Sequence, residues 1–403
     1  FLFFPFSKIV IKWRIKTGKE HPIRWREKLG EPSVEKPSGK LIWLHAVGLG
    51  EVLALRGLIL ELHKKERNLN FLVTSSTVLS AEVFEKNIPP KTIHQFLPYD
   101  VKIYGKRFLR HWKPDLVIWS EQDVWPGLSC QASNFGIKQV LVNGKIRKQS
   151  FSRRIKIKPL HRVVYKNFEF ISTQDFSSKS FYQKLGASCI IRTDGSLKPH
   201  CPSLFFDIKN LKIIKRAISN KSVWVVGSSF LEDEKIAIYT QKLLIERNVR
   251  KLLVLVPRFP ERLHEILNSL KDFEVKVYSK GETPDVKTDI FIVDSIGELG
   301  LWYKASEVAL IGGTFSNVEG KNPWEALHLD CVITFGPRHL KFKDDFKLLK
   351  KRKLAHQINS SQELFKILSR KDQIPVSNGV KELKTKLKKD INSLTEELLY
   401  LIN

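Results

Sequence analysis

Short apolar, β-branched runs recur along the first half of the chain at 41–47, 71–75, 115–119, 139–143 and 168–172. Amphipathic stretches of helical spacing lie between them at 51–66, 77–86, 100–112 and 124–135. The second half repeats the alternation, with apolar runs at 222–227, 251–256, 274–278, 289–294, 307–312 and 331–335. Its helical stretches fall at 232–246, 260–270, 297–305, 322–329 and 361–370. Such alternation predicts βαβ units, hence parallel sheets with helices on both faces. The register restarts near 198–207, where Lys198-Pro199-His200-Cys201-Pro202-Ser203 reads as an interdomain linker. The expected organisation is an N-terminal segment 1–20, one α/β domain at 21–200 and a second at 207–380. A closing amphipathic helix at 381–403, with no strand after it, is placed to pack back across the junction. No internal repeat is visible.

Two segments combine a buried strand, a glycine turn and a helix start. One is Leu44-His45-Ala46-Val47-Gly48-Leu49-Gly50-Glu51-Val52; the other is Gly312-Gly313-Thr314 followed by Glu319-Gly320-Lys321-Asn322-Pro323-Trp324-Glu325. In open α/β sheets this is where ligands bind, because backbone can approach them and the helix N-terminus favours anions. Each segment also sets a carboxylate, Glu51 or Glu325, at or just inside the helix start. One site in each half suggests two domains facing across a cleft, which suits transfer between two substrates.

Composition narrows the partners. The 403 residues are 42% hydrophobic and 28% charged, as in a well-cored globular protein, but the net charge is +27. That excess is either a solvated basic surface or a match for a polyanion such as an anionic membrane or a phosphorylated substrate. No zinc-finger spacing or arginine-rich tail favours nucleic acid. Cys130, Cys189, Cys201 and Cys331 form no CxxC pair and read as reduced thiols. Phe1-Leu2-Phe3-Phe4-Pro5-Phe6, with Ile9 to Ile11 and the basic residues around Trp13, is too short to span a bilayer, which needs about 20 apolar residues. It fits an interfacial anchor better than a helix packed on the domain. The chain has no Met and opens on Phe1, so its start is expected upstream.

Individual residues suggest chemistry. Glu51 is either a complement to its helix dipole or a general base. Pro114 to Pro126 reads as a buried strand ending in Glu121 and Asp123; acids there are costly unless solvated in a site, although Asp123 also fits a helix cap. Pro257-Arg258 sets an arginine at a strand end, where it can fork onto phosphate. Asp294-Ser295-Ile296-Gly297-Glu298-Leu299 is a further strand-to-helix turn with free amides. Asn322-Pro323 begins a helix that carries Glu325, a carboxylate able to hold vicinal ribose hydroxyls.

In this order, these motifs resemble the Kdo transferases, which move 3-deoxy-D-manno-octulosonic acid (Kdo) from its CMP ester to a lipid A precursor. The resemblance spans roughly residues 22 to 345 and rests on Arg24 to Gly30, His45-Ala46 through Gly50-Glu51, Leu97 to Asp100, Arg107 to Leu109 and Glu121 to Pro126. It continues through Gly195 to Lys198, Pro257-Arg258, Gly297 to Gly300, Asn322 to Glu325 and Gly336-Pro337. It implies a GT-B architecture of two Rossmann-like domains, metal-free inverting chemistry without a cofactor, and a place on the cytoplasmic face of the bacterial inner membrane. It also implies Glu51 as the base acting on the acceptor hydroxyl, with Glu121 and Lys198 stabilising the transition state. CMP would be bound by Pro257, Arg258, Ile296, Gly297, Glu298, Asn322, Pro323, Trp324 and Glu325. The family's Gly-Gly-His-Asn-Pro reads Glu319-Gly320-Lys321-Asn322-Pro323 here, the second acid of its Glu-x-Glu is Asp123, and its Asn-Ala-Arg reads Asn143-Gly144-Lys145. Phe230, Phe259 and Arg338 stand where the family has histidines. The competing expectations are a GT-B enzyme for another nucleotide sugar and a non-catalytic basic protein that binds polyanions.

Overall fold

Two parallel sheets, each of seven strands, carry the chain. The computed structural model describes residues 7–86, 88–121, 124–219, 221–369 and 376–403, so Phe1 to Phe6 and Asp123 lie outside the described residues. One compact unit runs to Pro202 and takes in Leu387–Asn403; the other is Ser203–Lys386.

In the first unit the strands are β1 (Leu41–His45), β2 (Asn70–Ser75), β3 (Thr92–Phe96), β4 (Leu116–Ser120), β5 (Lys138–Gly144), β6 (Phe170–Thr173) and β7 (Ile190–Thr193). They lie in the order β3-β2-β1-β4-β5-β6-β7. Every residue of β1 is buried. Ile42 and Leu44 pack on Val52, Leu55 and Leu58 of the helix Leu49–Lys65. Leu41 and Trp43 face the other way, onto Phe108 and Trp112 of the helix Lys102–Trp112 and Leu128 of the helix Pro126–Asn134. A strand covered on both faces reads as one continuous apolar run, which is why this alternation was visible in sequence.

The second unit holds β8 (Ser222–Ser229), β9 (Lys251–Pro257), β10 (Val275–Val277), β11 (Ile290–Ile292), β12 (Val308–Ile311), β13 (Val332–Phe335) and β14 (Ala355–Gln357). Their order is β10-β11-β9-β8-β12-β13-β14. In both units, buried tryptophans find partners for the indole N–H, with Trp302 an exception among the described residues. Trp43 donates to Thr74 Oγ1 (2.8 Å), Trp119 to Gln139 Oε1 (2.9 Å) and Trp224 to Gln241 Oε1 (3.0 Å). An unpaired buried N–H would cost about 1–3 kcal/mol.

The structure adds β3, β7 and β14, which the apolar pattern does not announce. All three are sheet edges. β3 carries His94 and Gln95, and β7 carries Arg192, so neither presents an apolar run. The Arg24 to Gly30 motif clamps β3: Arg24 Nη2 donates to His94 O (2.8 Å) and Glu27 Oε2 accepts from Phe96 N–H (2.7 Å). Ile391, Leu394 and Leu398 of the last helix, Val376–Tyr400, join the first unit's core beside the Leu49–Lys65 helix.

At the N-terminus, the helix Ser7–Lys16 buries Ile11 against Leu29 and Tyr104 but leaves Ile9 and Trp13 exposed. Arg14, one of the basic residues around Trp13, pairs with buried Glu20 at 2.8 Å. Among the described residues no helix is long and apolar enough to cross a membrane.

Gly57 lets the Leu49–Lys65 helix touch the turn Lys198–His200, since a Cβ there would lie 2.0 Å from His200 O. Gly57→Ala is expected to lose about 1–3 kcal/mol by overpacking, read as a lowered urea midpoint. Gly50→Ala, where a Cβ meets nothing within 4 Å, should not lower it.

Candidate active site

The first sheet extends outward in both directions from the β1–β4 pair, so its connections reverse there. Ligands bind outside the carboxyl ends of strands at such a switch point. Glu51 stands in the first turn after β1, and Glu121 directly follows β4. Glu51 Oε2 accepts N–H bonds from Val47 (3.2 Å) and Gly48 (3.3 Å), which hold the carboxylate at the β1 turn. These bonds hold the carboxylate at the start of its own helix, where it also complements the helix dipole.

Glu121 and Asn143 both adopt left-handed backbone, at φ 59° and 56°. Such strain costs about 1–3 kcal/mol per residue and persists only where the surroundings enforce it. Here Glu121 N–H donates to Val142 O (3.0 Å) and Tyr182 Oη to Glu121 O (3.0 Å). Asn143 Nδ2 reaches Glu121 Oε1 (3.4 Å), while Asn143 Oδ1 accepts from Leu197 N–H (3.0 Å). Lys198 is the next residue. Asn143 thus joins the carboxylate after β4 to the lysine turn after β7, and the close Gly57 contact brings the Glu51 helix against that turn.

His45, the last residue of β1, is fully buried. Its Nε2 lies 3.2 Å from Trp125 Nε1, and its Nδ1 lies 3.1 Å from Thr74 O. The indole can only donate, so Nε2 accepts and Nδ1 carries the proton. Burial pushes the imidazole down to about 3, keeping it neutral. His45 thereby positions Trp125, a role its place in a motif did not reveal. Trp125 lines a cavity of 440 Å³ with Arg14, Lys28, Ser76 and Tyr99 among its walls. Lys28 Nζ donates to Ser76 O (3.0 Å), and burial lowers its ammonium to about 8.

In the second unit the reversal falls at β8–β12. The buried Asp233, which no motif marks, organises it. Its Oδ2 accepts from Gly313 N–H (2.6 Å) and Phe230 N–H (3.0 Å), and its Oδ1 from Phe315 N–H (3.1 Å). Burial raises this carboxyl to about 6 although the three amides oppose the shift. Gly312 is required beside it, because a Cβ would lie 2.2 Å from Ser228 O.

Pro257 ends β9 buried, and Arg258 after it is exposed. Lys321 sits over the Phe230 ring at 5.3 Å; burial, Arg258 and Lys341 lower its ammonium. Asn322 caps the short helix Pro323–His328 by accepting from Trp324 N–H (3.1 Å), and its Nδ2 lies 3.4 Å from Glu325 Oε1. Burial raises the Glu325 carboxyl to about 7, against Asn322, Lys321 and Arg258. Arg258, Lys321 and Glu325 therefore share one electrostatic neighbourhood. Pro323 and Trp324 are buried, and the Trp324 indole donates to Asp345 Oδ1 (2.8 Å), so these two shape the helix start from within. Ile296 is 88% exposed and Gly297 has φ 105°, in the turn that follows β11.

Glu319 occupies a left-handed position at φ 63°, one that favours the glycine of the related motif. Its carboxylate pairs with Arg338 (3.2 Å) and accepts from Leu340 N–H (3.3 Å). Its charge is thus engaged by the neighbouring loop. Among the described residues no group of three or more His, Cys, Asp or Glu side chains is arranged to hold a metal ion.

Two units of this topology define the GT-B architecture. Solved structures share it: HepE of Anabaena in complex with UDP is 13% identical, with a TM-score of 0.54 over 90% of this chain and 100% of that one. UDP-GlcNAc 2-epimerase of Neisseria meningitidis bound to UDP-GlcNAc is also 13% identical, with a TM-score of 0.51 over 87% of this chain and 100% of that one. An epimerase among them shows that the fold alone does not fix the reaction. Sequence does. The family described as 3-Deoxy-D-manno-octulosonic-acid transferase (kdotransferase) matches residues 23–200. The 3-deoxy-D-manno-octulosonic acid transferase of Rickettsia bellii is 32% identical over 95% of this chain and 91% of its own length. That of Haemophilus influenzae is 27% identical over 84% and 82%. The chain belongs to the 3-deoxy-D-manno-octulosonic acid transferase family, and it is a glycosyltransferase.

The neutral His45 gives a pH prediction. Its folded pKa lies below the unfolded value, so the unfolded chain binds the extra proton and stability falls as pH drops through about 6.5 toward 3. Between pH 7 and 5 this amounts to about 2 kcal/mol. His45→Gln should lose less stability than the parent over that interval, by a comparable amount, in urea titrations. Equal losses would show that His45 does not remain neutral.

Proposed function

We propose that the chain transfers Kdo from CMP-Kdo to a hydroxyl of a lipid A precursor, by an inverting displacement that needs no metal. The reading is carried by the convergence of Glu51, Glu121 and the Lys198 turn at the switch point of the first sheet. Glu51 takes the proton of the acceptor hydroxyl as that oxygen attacks the anomeric carbon. Glu121 and Lys198 supply opposite charges where the transition state develops them. In the second unit, Arg258 and Lys321 offset the charge of the departing CMP phosphate, and Glu325 accepts from the ribose hydroxyls. The amides of Ile296, Gly297 and Glu298 and the capped start at Asn322 complete the nucleotide site. The 440 Å³ cavity, with Lys28 in its wall, suits a phosphorylated sugar acceptor. The exposed Ile9 and Trp13 suit attachment of the enzyme to the cytoplasmic face of an anionic membrane.

Glu51→Gln should leave CMP binding intact and lower transfer by about 10²-fold or more. Near-normal turnover would leave Glu51 as a helix cap only. Glu325 supplies an independent check. Its carboxyl is raised to about 7 and must be ionised to accept two hydroxyls, so CMP affinity should rise roughly tenfold from pH 6 to 8 beyond any change in Glu325→Gln. Parallel pH profiles for parent and variant in calorimetry would place the ribose elsewhere. A preference for a uridine or guanosine diphosphate over CMP would overturn the donor assignment.

A further inference from the structure

Residues 124–168 contain ten Lys and Arg and no Asp or Glu. Most of that charge follows β5, on the helix Lys148–Arg154, the turn Ile155–Ile157 and the helix Lys158–Tyr165. Val164 and Tyr165 anchor this segment in the core. On its outer side Ile157, Leu160 and Val163 are 51%, 46% and 45% exposed. Arg153, Lys156, Lys158 and Arg162 are exposed beside them. A merely solvated basic face has no use for aliphatic side chains at its centre. An interfacial helix needs both kinds of residue, apolar groups for the acyl boundary and cations for the lipid phosphates.

We infer that this segment is a second membrane-contact surface, seated on an anionic lipid bilayer through Ile157, Leu160, Val163 and the cations around them. The inference rests on the membrane attachment proposed above and adds a surface to it. One short anchor gives only marginal, reversible binding, and a basic second contact makes it stable. Both surfaces belong to one layer of helices. Ile11 of the N-terminal helix packs on Tyr104, whose helix packs on Pro126–Asn134, which packs on Lys158–Tyr165. Nucleic acid is a poorer fit, because Phe151 is stacked on Phe181 and Tyr165 packs edge-to-face on Tyr182 instead of being offered to bases.

The test is sedimentation of the full chain with vesicles of phosphatidylcholine, alone or mixed with phosphatidylglycerol. Two variants are compared with a deletion of residues 1–14: Ile157→Ser/Leu160→Ser/Val163→Ser and Arg153→Glu/Lys156→Glu/Lys158→Glu. Each should lower binding to the anionic vesicles by about tenfold or more, with the parent's circular dichroism and unfolding midpoint. The single Leu160→Ser change supplies the test if the aliphatic triple variant does not fold. Parent-like vesicle binding by both variants, with release only on the deletion, would overturn the inference and leave the membrane attachment standing. A parent that sediments with neither vesicle would remove the attachment and this surface with it. Loss of RNA binding with vesicle binding unchanged would also overturn it.

Discussion

At each switch point, parallel strands end side by side while the chain leaves toward opposite faces of the sheet. Backbone amides and carbonyls at those ends have no neighbouring strand to satisfy them, and side chains must do so. In the first unit Asn143 of β5 holds the Glu121 carboxylate on one side and the Leu197 N–H on the other. In the second, Asp233 gathers three amides from two loops. The rest of the structure follows from these ends being held. Asn143 ties Glu121 to the turn that carries Lys198, and Asp233 ties the Gly313 loop to the start of the helix after β8.

The groups suited to chemistry are also structural. Glu51 caps its own helix, Glu121 sits on strained backbone, and Lys321 lies on an aromatic face. Strain of this kind is expected where geometry must be fixed before the substrate arrives. It also explains how an architecture shared with an epimerase can serve a different reaction. The sheets supply only the switch points, while the residues placed there decide the chemistry.

Much of this was legible in the chain. Strands covered on both faces, such as β1, β4 and β8, announce themselves as apolar runs. The glycine turns and the Asn322-Pro323 helix start follow directly from backbone stereochemistry. The edge strands β3, β7 and β14 were not legible, because they carry polar residues: Gln95 of β3, for example, accepts from the Trp112 indole. Asp233 was silent for a similar reason, since a single acid early in a helix looks like any capping residue. Its burial and its reach to Gly313 are tertiary facts. The Arg24 to Gly30 motif was visible, but its work as a clamp on β3 became clear only once β3 existed.

The reaction proposed for this glycosyltransferase is Kdo transfer from CMP-Kdo to a lipid A precursor. Its most direct test is mass spectrometry of the lipid after incubation of the purified full chain with both substrates. The expected product is a lipid heavier by one or more Kdo residues, with CMP released in equal number. An unchanged lipid, alongside consumption of a different nucleotide sugar, would contradict it.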